Sequence, residues 1–68
     1  MAETLRNRLR ELRAERDLTQ AALAELVGVS RKTVNTIENG VFVPSTLLAL
    51  KLARAFGQPV ESIFLLDD

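Results

Sequence analysis

Apolar residues recur with helical spacing along most of the chain, and Gly, Ser/Thr and Pro interrupt them at short intervals. Leu5, Leu9 and Leu12 stand at i, i+4 and i+7 and predict one face of a first helix ending near Arg16. Its start has two readings: Thr4 caps it, or Asn7 does and residues 4–6 are extended. Asp17-Leu18 breaks the run. Thr19 then reads as the N-cap of a second helix, Gln20–Val27, and Gly28 as the left-handed residue that ends it. Ser30 caps a third helix over residues 31–39, closed by Gly40 in the same way. Pro44, which lacks an amide donor, fits just outside a helix, and Ser45 caps a fourth over about Thr46–Phe56. Leu48, Ala49, Leu52, Ala53 and Phe56 share one face of it. Gly57 ends that helix, and Pro59 opens a short last one over about 60–64. The pattern is that of an all-α domain without repeat or linker.

Composition narrows the chemistry. The 68 residues are 47% hydrophobic and 26% charged, a globular balance in a chain too short to divide, so residues 1–68 are expected to form one domain. There is no cysteine and no histidine. Disulfides, thiolate or imidazole metal sites and Ser-His-Asp relays are thereby excluded, and neither an enzyme nor a cofactor is expected. No apolar run of signal-peptide length opens the chain, and none approaches the ~20 residues that span a bilayer. A cytoplasmic protein without a membrane partner is the expectation. Below ~70–80 residues one core rarely supplies more than ~3–5 kcal/mol, and without disulfide or metal a homo-oligomer is favoured.

Net charge is zero, which argues against coating nucleic acid by bulk electrostatics but leaves room for a local basic surface. Residues 1–16 hold five arginines against Glu3, Glu11 and Glu15, whereas 55–68 hold only Glu61, Asp67 and Asp68. Arg6, Arg8, Arg10 and Arg16 are expected on a solvated face, with Glu11 and Glu15 in reach for weak pairs.

Residues 19–40, TQAALAELVGVSRKTVNTIENG, carry most of the information. Gly28-Val29-Ser30 is too short to let two helices lie side by side, so they must cross steeply. Ala24 falls at the crossing. Leu23, Val27, Val34 and Ile37 point inward, and Val29 plugs the turn. A small residue, Gly four later and a branched apolar residue six after that satisfy the helix-turn-helix pattern. Arg31, Lys32, Asn35, Thr36 and Asn39 are left facing outward on the third helix. Such a face fits the ~12 Å major groove, where Arg31 or Lys32 reaches guanine O6/N7 and Asn35 pairs with adenine N6/N7. The N-terminal amides of the second helix, with Gln20, suit a phosphate.

Together with Pro44-Ser45, Leu52-Ala53 and Ile63-Phe64, this series resembles the Cro/cI-like (XRE) helix-turn-helix regulators of phage and bacteria, of the short stand-alone type. The resemblance implies an all-α, five-helix, phage-repressor-like DNA-binding domain with the motif at helices 2 and 3. In some members a small terminal β-ribbon is added, here residues 4–6 against 65–67. It implies Arg31, Lys32, Asn35 and Thr36 as base-reading residues, and Gln20, Ser30, Thr33 and Asn39 as phosphate or supporting contacts. It suggests an ion pair between Arg13 and Glu38. Relatives often carry Lys where Val41 stands and polar residues at Val43 and Leu47. Weaker non-specific affinity and a more apolar surface near the fourth helix follow. Val43, Leu47, Leu65 and Leu66 are candidates for a two-fold seam between copies.

The function expected is a sequence-specific regulator, a repressor that binds an inverted-repeat operator as a homodimer with no small-molecule effector. The alternative is an antitoxin or other protein-interaction module on the same fold.

Overall fold

The computed structural model describes residues 4–67; residues 1–3 and 68, the ends of the expected domain, lie outside the described residues. A strand β1 (Thr4–Asn7) precedes helices α1 (Leu9–Glu15), α2 (Gln20–Val27), α3 (Arg31–Glu38), α4 (Thr46–Phe56) and α5 (Val60–Ile63), and strand β2 (Phe64–Asp67) follows. The strands pair antiparallel, Thr4 opposite Asp67 and Asn7 opposite Phe64. The terminal ribbon is therefore present, one pair longer than the resemblance implied.

Leu5 belongs to this ribbon, which corrects its place in the first helix. The i, i+4, i+7 spacing suggested a helix, but tertiary bonds hold the segment extended. Asn7 accepts from the Leu9 amide at 3.1 Å and donates to the Ile37 carbonyl at 2.8 Å, while the Arg8 amide bonds the Ile63 carbonyl at 2.9 Å. Residues 4–6 are extended, as the second reading had it, but neither Thr4 nor Asn7 is the N-cap: Asn7 ends the strand, and Arg8 stands at the cap position of α1 without a side-chain cap bond. At the other end Phe64 leaves α5 to join β2, and α3 stops at Glu38 with Asn39 as its cap.

The caps at Thr19, Ser30 and Ser45 form as expected. Each side-chain oxygen accepts an amide three residues on, from Ala22, Thr33 and Leu48. The carboxyl ends of α1, α2, α3 and α4 follow one scheme. In α3 the Gly40 amide bonds the Ile37 carbonyl at 3.0 Å and the Val41 amide bonds Thr36 at 2.9 Å, with Gly40 at φ +74°. The end of α1 repeats it with Asp17 at φ +51°, a left-handed residue with a side chain.

The core joins Leu9 and Leu12 of α1, Leu23, Ala24 and Val27 of α2, Val34 and Ile37 of α3, Leu48, Leu52, Ala53 and Phe56 of α4, and Ile63. A fully buried Leu, Ile or Phe contributes ~1.5–3 kcal/mol of transfer free energy, so this cluster supplies the main driving force. Ala24, expected at the crossing of α2 and α3, is buried in this cluster. Val29 packs against the cluster from the turn.

Arg6, Arg10 and Arg16 are exposed, as expected of a solvated face, and Arg8 is half-buried, but Arg8 and Arg16 also bond distant carbonyls. Arg16 donates to the carbonyls of Ala55 and Phe56 at 3.0 and 2.6 Å, and its guanidinium lies 5.4 Å from the Phe56 ring centre. Arg8 donates to the Ser62 carbonyl at 3.2 Å and pairs with Glu11 at 2.7 Å. Guanidinium groups satisfy the orphan carbonyls at the carboxyl ends of α4 and α5, where the helix dipole favours a cation. The uneven charge along the chain thus serves the fold.

Candidate nucleic-acid interface

Val34 and Ile37 anchor α3 in the core, and this orientation leaves Arg31, Lys32 and Asn35 exposed on the far side. Among the described residues neither Arg31 nor Lys32 has an ion-pair or hydrogen-bond partner. Two cations at the head of an exposed helix, unpaired among the described residues, are available to an anionic ligand.

The remaining predicted contacts are less free. Thr36 is half-buried, and its hydroxyl spends its one proton on the Thr33 carbonyl at 2.9 Å, which leaves it an acceptor. The Thr33 and Ser30 hydroxyls lie 2.9 Å apart, and Ser30 caps the helix. Gln20 turns its amino group inward, to Asn35 Oδ1 at 3.2 Å and Glu38 Oε1 at 3.0 Å. What Gln20 retains for a phosphate is its backbone amide at the first turn of α2. Asn39 accepts from Arg10 at 3.1 Å and donates to Asn35 Oδ1 at 3.3 Å. Both residues buttress Asn35.

Behind this face stands Glu38, whose side chain has 0% exposure. Arg13 holds it by two bonds, Nε to Oε2 at 2.5 Å and Nη2 to Oε1 at 3.0 Å, and Arg10 Nε lies 3.6 Å away. Burial alone raises the carboxyl pKa. The hydrogen bonds from Arg13 and Gln20 and the charges of Arg13 and Arg10 outweigh it, so the pKa sits below its ordinary value. The Arg13 guanidinium, bonded to Glu38, is shifted upward in turn. The pair ties α1 to the carboxyl end of α3 and fixes how α3 is presented.

An apolar edge adjoins the site. Val43 (67% exposed), Leu47 (64%), Leu50 and Leu66 (63%) stand out from the surface. Val43 and Leu50 line one cleft with Leu5 and Phe64, and Leu5 faces Leu66 across the ribbon. Leu47 and Leu50, three apart on α4, share a face. Leu65 is placed differently. Strand side chains alternate, so Leu65 pairs with Arg6 on the opposite side of the ribbon from Leu66. Leu50 was not singled out from the sequence, because three-residue spacing on α4 is equally that of a buried row. Val41 and Phe42, also exposed, flank α3 beside Lys32 and Thr36.

Residues 9–63 match the family described as Helix-turn-helix, a span running from α1 through α5. The chain belongs to the XRE-type helix-turn-helix family. It is 47% identical over 64 residues to the HTH-type transcriptional regulator YgzD of Bacillus subtilis, covering 94% of this chain and 97% of that protein. An HTH-type transcriptional regulator of Methanocaldococcus jannaschii, MJ0272, is 45% identical over 64 residues, with the same two shares. The crystal structure of the restriction-modification controller protein C.AhdI from Aeromonas hydrophila superposes with a TM-score of 0.75 at 40% identity, covering 81% of this chain and 83% of that one. This helix-turn-helix protein is therefore a DNA-binding transcriptional regulator, of a family that is not one of enzymes. Among its described residues no helix is long and apolar enough to cross a membrane.

Proposed function

We propose that this regulator represses transcription by binding an inverted-repeat operator as a homodimer, with α3 in the major groove. The observation that carries the reading is the exposed, unpartnered pair Arg31 and Lys32 at the head of a helix whose inner side is locked into the core. Arg31, Lys32, Asn35 and Thr36 read base edges. The α2 amino terminus at Gln20, with Ser30, Thr33 and Asn39, sets register against the backbone. Repression by occupancy requires no effector site and no cofactor, and a chromosomal ligand puts the protein to work in the cytoplasm.

The apolar edge supports the dimer. Val43, Leu47, Leu50 and Leu66 bring together side chains that a lone small domain leaves in water at a cost. A two-fold axis through such an edge presents two copies of α3 to successive major-groove faces ~34 Å apart. The seam is drawn here without Leu65, for the reason of strand alternation given above.

The same edge is the one observation that favours a protein-interaction role, such as that of an antitoxin. Sedimentation separates the two. A dimer at micromolar concentration that selects a palindrome from random duplex DNA supports the operator reading. A monomer that binds no duplex refutes it.

A further inference from the structure

We infer that Asn35 is held as a hydrogen-bond donor only, and that the base it reads is guanine. The inference rests on the DNA-binding reading of α3 and adds a base preference to it. An unconstrained asparagine offers both an acceptor and a donor, the combination that suits adenine, whose N6 donates and N7 accepts. Here the acceptor half is already engaged. Gln20 Nε2 and Asn39 Nδ2 both donate to Asn35 Oδ1, at 3.2 and 3.3 Å.

Each of these donors is oriented by a charge. The Glu38 carboxylate accepts only, so it takes the amino end of Gln20, at 3.0 Å, and excludes the carbonyl end. The Arg10 guanidinium donates only, so it takes the carbonyl end of Asn39, at 3.1 Å, and turns the amino end toward Asn35. Two relays, one begun by an anion and one by a cation, converge on one oxygen and occupy both of its lone pairs. Asn35 Nδ2 bonds to nothing among the described residues and stays exposed. A two-proton donor matches the adjacent acceptors O6 and N7 of guanine, as a lysine does there, confronts another donor at adenine N6 or cytosine N4, and finds one acceptor only, O4, at thymine. Gln20 and Asn39 act through Asn35 and are positioning residues.

The test is selection from random duplex DNA with the wild type, Asn35→Ala, Asn39→Ala and Gln20→Ala/Asn39→Ala. Asn35→Ala marks the base position concerned, as the one whose preference flattens. The wild type is expected to favour guanine over adenine there by about tenfold. The double variant, with Oδ1 released, shifts toward adenine at that position, read as the guanine-to-adenine ratio within its own selected pool, so a general loss of affinity does not mimic the shift. Asn39→Ala leaves the Arg13–Glu38 pair and the Gln20 bond intact and shifts the same way by less. Any base other than guanine at that position in the wild type, an unchanged guanine preference in the double variant, or no position responding to Asn35→Ala overturns the inference while the DNA-binding reading stands. Failure of the wild type to enrich any duplex overturns both.

Discussion

Arg13 and Glu38 lie twenty-five positions apart and meet in a two-bonded ion pair that fastens the back of α3 to α1. The carboxylate has no exposed side-chain surface, so it depends on the groups around it. Removing Arg13 strands a buried charge, and the Arg13→Ala variant is expected to lose about 2–4 kcal/mol. Gln20 and Arg10 remain to soften the loss. Urea unfolding measures it directly.

The same pair predicts a pH dependence. The folded-state pKa of Glu38 is depressed, so its stabilisation is fully present above the ordinary carboxylate value of 4.5 and is lost as pH falls through the lower folded value. The difference in unfolding free energy between the wild type and Glu38→Gln should therefore be level from pH 7 down to about pH 5 and shrink below it. A difference that stays constant to pH 3 contradicts the pairing.

Arg31 and Arg16 should behave in opposite ways. Arg31→Ala removes a side chain with no partner among the described residues, so thermal stability is unchanged while operator affinity falls by ~1–3 kcal/mol and preference relaxes at one base position. Arg16→Ala loses two carbonyl contacts at the end of α4 and is expected to cost about 1–2 kcal/mol of stability, with DNA affinity of the folded protein unaltered. Melting curves and binding isotherms on both variants check the pair of outcomes.

Asp17 carries a side chain at φ +51°, in the one Schellman-type helix end among four that lacks glycine. Asp17→Gly relieves the left-handed cost, and a gain of about 0.5–1 kcal/mol is expected. For a domain of this size that raises Tm by several degrees. A lower Tm would show that the Asp17 carboxylate stabilises the turn in another way.

Leu47→Glu places a charge in the proposed seam, and Leu65→Glu places one on the other side of the ribbon. Sedimentation should find the first variant monomeric and the second dimeric. Two dimers, or two monomers, would move the seam elsewhere.

Much of this was legible in the residues because it is local. Thr19, Ser30 and Ser45 each cap a helix by reaching three residues forward, and the Gly28 and Gly40 ends follow from backbone geometry that few other residues adopt. The outward set on α3 follows from Val34 and Ile37 facing in. What escaped is non-local. Leu5 fits a helical and a strand period equally, and only the bonds of Asn7 and Arg8 to distant carbonyls decide between them. Nothing in the spacing of Arg16 and Phe56, or of Gln20 and Glu38, announces their contacts. The Asn35–Asn39 bond was the exception, four residues apart on one helix and visible in principle.

The most direct test is the amide spectrum of 15N-labelled protein titrated with a duplex it selects. The account predicts the largest shift changes at Arg31, Lys32 and Asn35 and at the Gln20 amide, with Glu25 and Leu26 on the outer side of α2 unmoved. Changes confined to Leu50, Leu66 and their neighbours, with α3 silent, would contradict it.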